Sequence, residues 1–69
     1  MEELIAKLAE ILEVEGLDIK KKFTEYDEFD SLATLTILAM LDSDYHKFKK
    51  GSDLRGYASI EDFCKDILS

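Results

Sequence analysis

Ser31 is the residue best placed to do chemistry in this chain. It stands in Asp30-Ser31-Leu32, at the head of an apolar run with helical spacing. A helix start presents free backbone N–H groups and the positive end of the helix dipole, so a phosphate ester of Ser31 would be stabilised there. The same position suits an ordinary N-cap, a role open to Ser31 or to Asp30. Nucleophilic catalysis by Ser31 is not expected, because His46 lies about four turns further along and no other histidine is present to act as base.

Three further groups invite a chemical reading. Asp42, Asp44 and His46 fall at i, i+2 and i+4, which a helix does not converge on one ion. As a calcium loop the segment also fails: Lys47 occupies the glycine position and Asp53 stands where a glutamate is needed. No metal is expected. Cys64 is the single cysteine, so no intramolecular disulfide can form, and its spacing puts it on the apolar face of the last helix as a buried hydrophobe. The runs Lys20–Lys22 and Lys47–Lys50 read as solvated charge, and Tyr26, Tyr45 and Tyr57 as loop anchors with a polar tip.

The elements that must position Ser31 follow from periodicity. Leu4, Ile5, Leu8, Ile11 and Leu12 recur at helical spacing behind Glu2 and Glu3, giving a first helix over 2–14, with Gly16 as its expected stop. Residues 17–30 alternate too poorly for a strand; Leu17, Ile19, Phe23 and Phe29 are expected to pin this long connection to the core. A second helix is expected over 31–44. Leu32, Leu35, Ile37, Leu38, Ala39, Met40 and Leu41 cover most of its circumference, so part of that surface should remain exposed for a partner. A short helix is expected over 52–56 and a last one over 59–68. There Ser59 and Asp62 resemble a capping box, and Ile60, Phe63, Cys64, Ile67 and Leu68 follow at i, i+3, i+4, i+7 and i+8. The fold class is all-α: a four-helix bundle of three main helices and a short third one, in a single domain over 1–69.

Composition narrows the function. Sixty-nine residues with a net charge of −7 make one small acidic domain. Such a domain buries about 60% of its unfolded surface, too little to hold a deep active site as well as a stable core. At 46% apolar and 36% charged residues it should fold. The acidic balance argues against nucleic acid and for electrostatic steering toward basic partners. Met1-Glu2-Glu3 lacks the positive start and apolar run of a signal peptide, and no apolar stretch approaches the roughly 20 residues of a membrane span. A cytoplasmic monomer is expected.

Phe29-Asp30-Ser31-Leu32 resembles the attachment motif of acyl carrier proteins, an Asp-Ser-Leu triplet at the start of the second of four helices. Helix order, the long anchored loop, the short third helix and the Ser59-Ile60 start of the last helix extend the likeness over nearly the whole chain. The resemblance implies 4′-phosphopantetheine esterified to Ser31 by a phosphopantetheinyl transferase that uses coenzyme A and Mg²⁺, with Asp30 and Leu32 completing the motif. The arm would carry acyl groups as thioesters, and the chain would be a carrier served by enzymes rather than an enzyme. By position, Leu32, Leu35 and Ala39 would be apolar contacts for partners, and Asp42 and Asp44 would supply charge. The partners implied are the transferase, an acyl-loading enzyme, and a ketosynthase or acyltransferase.

The chain departs from the family pattern in places. Glu28 replaces a glycine two residues before the Asp. Ala33, Thr36 and Ser43 occupy positions that are usually acidic in fatty-acid carriers. The loop after the second helix is basic, with His46, Lys47, Lys49 and Lys50, and the last two replace a hydrophobic residue and a proline. These departures point to a specialised lipid, polysaccharide or secondary-metabolite pathway rather than the standard fatty-acid enzymes. An aminoacyl carrier, such as one for D-alanine, and a helical interaction module with Ser31 as a mere cap are the alternatives.

Overall fold

The computed structural model describes residues 1–69. It is all-helical: α1 (Glu2–Ile11), α2 (Ser31–Met40), α3 (Gly51–Gly56) and α4 (Ile60–Leu68), with no strand. A 3₁₀ turn, Phe23–Glu25, interrupts the long connection, and a π-helical turn, Leu41–Tyr45, follows α2. No helix is long and apolar enough to cross a membrane.

One core serves all four helices. Leu4, Leu8 and Leu12 from the first segment, Ala33, Ile37 and Leu41 from the second, Leu54 from α3, and Ile60, Phe63, Cys64 and Ile67 from α4 are buried together around Phe23. These residues follow the i, i+4 and i, i+3, i+4, i+7 spacings that put side chains on one helix face. Leu68, expected on the same face of α4, is 43% exposed and lies outside the core.

Four helix ends differ from the expected bounds. α1 stops at Ile11 rather than 14, and Gly16 is not the stop. Glu13 takes the left-handed conformation (φ 57°). The N–H of Val14 then reaches Ala9 O at 3.0 Å and that of Glu13 reaches Glu10 O at 3.2 Å. This is the Schellman closure, made by a glutamate at a cost of roughly 1–2 kcal/mol where glycine would be free of strain. It turns the chain while Val14 stays against the core. The second helix is regular only to Met40, not 44: the wider turn follows, and His46 at φ 56° ends it, with Lys47 N–H on Leu41 O at 3.1 Å. In that turn Leu41 remains buried, and Asp44 meets Lys7 Nζ of α1 at 2.8 Å. α3 begins at Gly51 rather than 52, because Asp53 Oδ2 accepts from the Lys50 N–H at 3.0 Å and draws that residue into the cap. Ser59 caps α4 from outside it, its Oγ accepting from the Asp62 N–H at 3.1 Å.

The connection over 17–30 is held as its apolar spacing implied. Phe23 is fully buried, and Leu17, Ile19 and Phe29 pack half-buried against the core. The Phe23 ring lies 5.2 Å from Phe29 in a stacked pair and 5.0 Å from Phe63 edge-on, and Phe63 meets Tyr57 edge-on at 5.3 Å. The backbone docks as well. Ile19 O and Lys21 O accept from the N–H groups of Glu61 and Ile60, both at 2.8 Å. These are first-turn donors that α4 cannot satisfy internally. Lys20 Nζ adds an ion pair to Glu61 at 2.8 Å, which holds that carboxyl below its usual range. The tyrosines act as anchors: Tyr26 OH accepts from the Asp18 N–H at 2.8 Å, Tyr57 OH donates to Asp66, and Lys7 Nζ lies 5.4 Å from the centre of the Tyr45 ring.

Two measurements test this packing. Phe23→Ala is expected to cost about 3–5 kcal/mol, enough to abolish cooperative urea unfolding in a domain this small, whereas Phe48→Ala, at an 85% exposed residue, should stay within about 0.5 kcal/mol. Burial pushes the Cys64 thiol up to about 11. A raised value means that its contribution to stability is complete below about pH 9, the ordinary thiol value, and is lost as pH rises toward 11. The gap in unfolding free energy between the native chain and Cys64→Ala should therefore narrow by about 2 kcal/mol from pH 8 to pH 11.

Candidate functional site

Asp30 leaves the connection in an extended conformation (φ −107°, ψ −170°) and is the N-cap of α2. Its Oδ1 accepts from the Ala33 N–H at 2.9 Å, and its carbonyl accepts from both the N–H and the hydroxyl of Thr34, at 2.9 and 2.8 Å. Ser31 is thus the first residue of the helix and not the cap. It is exposed, and its Oγ has no hydrogen-bond partner. The choice between Asp30 and Ser31 was open on sequence because the two side chains differ by one position along the chain. The geometry resolves it by giving the cap to the residue with extended backbone.

Tertiary packing divides the apolar circumference of α2 into two faces. Ala33, Thr34 and Ile37, continued by Leu41, face inward. Leu32, Leu35, Thr36 and Ala39 face solvent, with Leu32 73% and Leu35 63% exposed. They occupy i, i+3, i+4 and i+7, a continuous strip about 10 Å long beginning beside Ser31. Of the two acids expected to flank this strip, Asp42 is exposed with no ion-pair partner. Asp44 is turned to α1, where Lys7 holds its carboxyl below the usual range. The three apolar contacts therefore come together and the two acids do not. Ala33, read as a surface departure from an acidic pattern, is buried, while Thr36 is exposed and donates its hydroxyl to Leu32 O at 2.9 Å.

Two depressions flank Ser31 and Leu32. One, of about 560 Å³, runs between the connection, α2 and α3; Phe29, Ser31, Leu35, Leu38 and Arg55 are among its walls. Gly51 suits its shape, since a Cβ there would stand 3.2 Å from Thr34 Cγ2, tighter than ordinary contact. The other, of about 310 Å³, lies toward α1 and is lined by Glu13, Glu28, Leu32 and Thr36 among others. Asp30 borders both.

The remaining candidates are placed elsewhere. His46 sits in the left-handed bend after α2, and no group of three or more His, Cys, Asp or Glu is arranged to hold a metal ion. Cys64 is fully buried. Sequence reasoning missed Phe48, the most exposed large apolar residue, and Arg55, which lines the same depression as Ser31. Phe48 carried a signal, since it interrupts a lysine run and matches no core spacing. Arg55 is the only arginine in the chain, but its neighbour across the groove is set by the approach of α3 to α2.

The capping geometry makes a direct prediction. Asp30→Ala should lower stability by about 1 kcal/mol in chemical denaturation, while Ser31→Ala should change it by less than about 0.5 kcal/mol; the reverse order would assign the cap to Ser31. No family model, curated protein or solved structure matches this chain.

Proposed function

We propose that this chain is a carrier domain of the acyl-carrier type, bearing 4′-phosphopantetheine on Ser31 Oγ and acyl intermediates as thioesters on that arm. The observation that carries the reading is the separation of roles at the start of α2. Asp30 caps the helix, which leaves the Ser31 hydroxyl exposed and unpartnered beside an exposed Leu32. A hydroxyl needed for capping would lose its acceptor role on esterification; this one has no such role to lose.

The residues present fit the group. Ser31 gives up its hydroxyl proton and forms a phosphodiester, while a phosphopantetheinyl transferase with Mg²⁺ releases the adenosine bisphosphate half of coenzyme A. The helix N-terminus favours the resulting negative charge. The bound arm supplies a mobile thiol that holds cargo as a thioester. Asp30 keeps the first turn of α2 in register, so that Ser31 is presented at a rigid position. Leu32, Leu35 and Ala39 offer an apolar strip to partner enzymes, and Asp42 offers charge at its far end. A tether of this kind raises the effective concentration of its cargo at each partner, and the partners do the chemistry.

The partners so proposed are the transferase, an acyl-loading enzyme, and a ketosynthase or acyltransferase, acting on a cytoplasmic monomer. A specialised pathway is favoured because the strip beside Ser31 carries Thr36 where fatty-acid carriers usually have an acid, and is not edged by Asp44, which is engaged with Lys7. Steering by a dense acidic rim along α2 is therefore weaker here than apolar contact.

The test is the intact mass after incubation with coenzyme A, Mg²⁺ and a broad-specificity transferase. A gain of one phosphopantetheine in the native chain and none in Ser31→Ala is expected; no gain, or an equal gain in the variant, overturns the reading. Because Cys64 is fully buried, the modified chain should show one rapidly titrating thiol under native conditions and the unmodified chain none.

A further inference from the structure

We infer that Arg55 is the counter-charge for a phosphate ester on Ser31 Oγ, a positioning residue for whatever that ester attaches. The inference rests on the proposed function only in requiring that Ser31 carry a phosphate. It applies to a phosphopantetheine diester and to a plain phosphoryl monoester alike.

The first observation is proximity across a groove. Ser31 and Arg55 are walls of the same depression between α2 and α3. The point where a Gly51 Cβ would stand lies 3.6 Å from Arg55 Nη1 and 3.2 Å from Thr34 Cγ2. Thr34 is one helical turn from Ser31 and lines the same depression. The guanidinium therefore lies over the first turn of α3 where it meets Thr34, in the depression that Ser31 also lines.

The second observation is that the guanidinium is free. Lys7, Lys20 and Lys49 each hold a carboxylate, at 2.8, 2.8 and 2.9 Å. Arg55 is in none of the ion pairs or side-chain hydrogen bonds of the structure, although the chain carries a net charge of −7. Asp30, the carboxylate that shares the groove, gives its Oδ1 to the Ala33 N–H instead. A planar guanidinium is the side chain best matched to phosphate oxygens.

The third observation is the charge asymmetry around Ser31. The depression on the α1 side is lined by Glu13 and Glu28, with Asp30 at its border, and contains no cation. The α3 side holds Asp30 and Arg55. A phosphate dianion or diester at Ser31 is repelled from the first and attracted to the second. Space sets the direction too: the α3-side groove is the larger of the two, at about 560 against about 310 Å³. Arg55 thereby biases the attached group toward α3.

The lone arginine makes the test clean, because it yields a single guanidinium Nε–H resonance. Two modified forms are compared with the unmodified chain: one with phosphoserine encoded at position 31, the other treated with coenzyme A, Mg²⁺ and transferase. In the phosphoserine form the Arg55 resonance should shift and its solvent exchange should slow, and the change should vanish at 1 M NaCl. At low salt, Arg55→Gln should lower the Tm of the phosphoserine form by about 2–6 °C more than that of the unmodified chain, since one exposed charge-assisted pair is at stake. An unchanged resonance together with equal Tm losses overturns the inference, whatever the transferase does. The same resonance change in the transferase-treated form supports the inference for a phosphopantetheine diester. If the transferase adds no mass while the phosphoserine form responds, the carrier reading falls, and Arg55 stands as the counter-charge of a phosphoryl group.

Discussion

Phe23, buried between Phe29 and Phe63, ties the long connection into the core shared by the four helices. Between α1 and α2 only the 3₁₀ turn Phe23–Glu25 is regular, so the connection by itself does not fix where α2 sits against the core. Phe23 fixes it from inside, stacked on Phe29 and edge-on to Phe63, while Ile19 and Lys21 carbonyls close the first turn of α4 from outside. Phe29 is one residue before the Asp30 cap, so the aromatic stack and the head of α2 are mechanically continuous. An irregular segment is tolerable here because its polar backbone finds partners at a helix end, where donors are otherwise orphaned.

The small core imposes a division of labour on α2. Only thirteen of 69 residues are buried, so a helix apolar on nearly every side cannot be enclosed. One face goes inward with Ile37 and Leu41, and the opposite face remains outside with Leu32 and Leu35. The outward face begins at Ser31, which puts an unpartnered hydroxyl, an apolar strip and a groove within one helical turn of one another. Ion pairs linking distant elements, Lys7 to Asp44, Lys20 to Glu61 and Lys49 to Asp66, lie at the edges of the molecule and leave this end free.

Much of the fold was legible in the sequence. Side-chain periodicity is set by backbone geometry, and it identified four helices, the anchors Leu17, Ile19, Phe23 and Phe29, and the capping serine of α4. Helix ends were less legible. Glu13 was overlooked as the stop of α1 because a glutamate rarely adopts the left-handed conformation. There the Schellman hydrogen bonds and the packing of Val14 outweigh its strain. The π turn after Met40 was invisible because Asp42, Ser43 and Asp44 continue a helix as well as they leave one. Asp44 was placed with Asp42 by adjacency, yet the widened turn sends it to Lys7.

Local patterning is enough to show that the chain is helical, that Asp30 and Ser31 head an apolar helix, and that Cys64 belongs to a core face. Each follows from short-range spacing and intrinsic conformational preference, which need no partner from elsewhere in the chain. Long-range packing selects which of Asp30 and Ser31 is the cap, which half of the apolar α2 surface stays exposed, and which charges surround the serine. Those depend on elements distant in sequence: the loop that sets the backbone of Asp30, the core that chooses Ile37 over Leu35, and the close approach at Gly51 that brings Arg55 to the groove of Ser31.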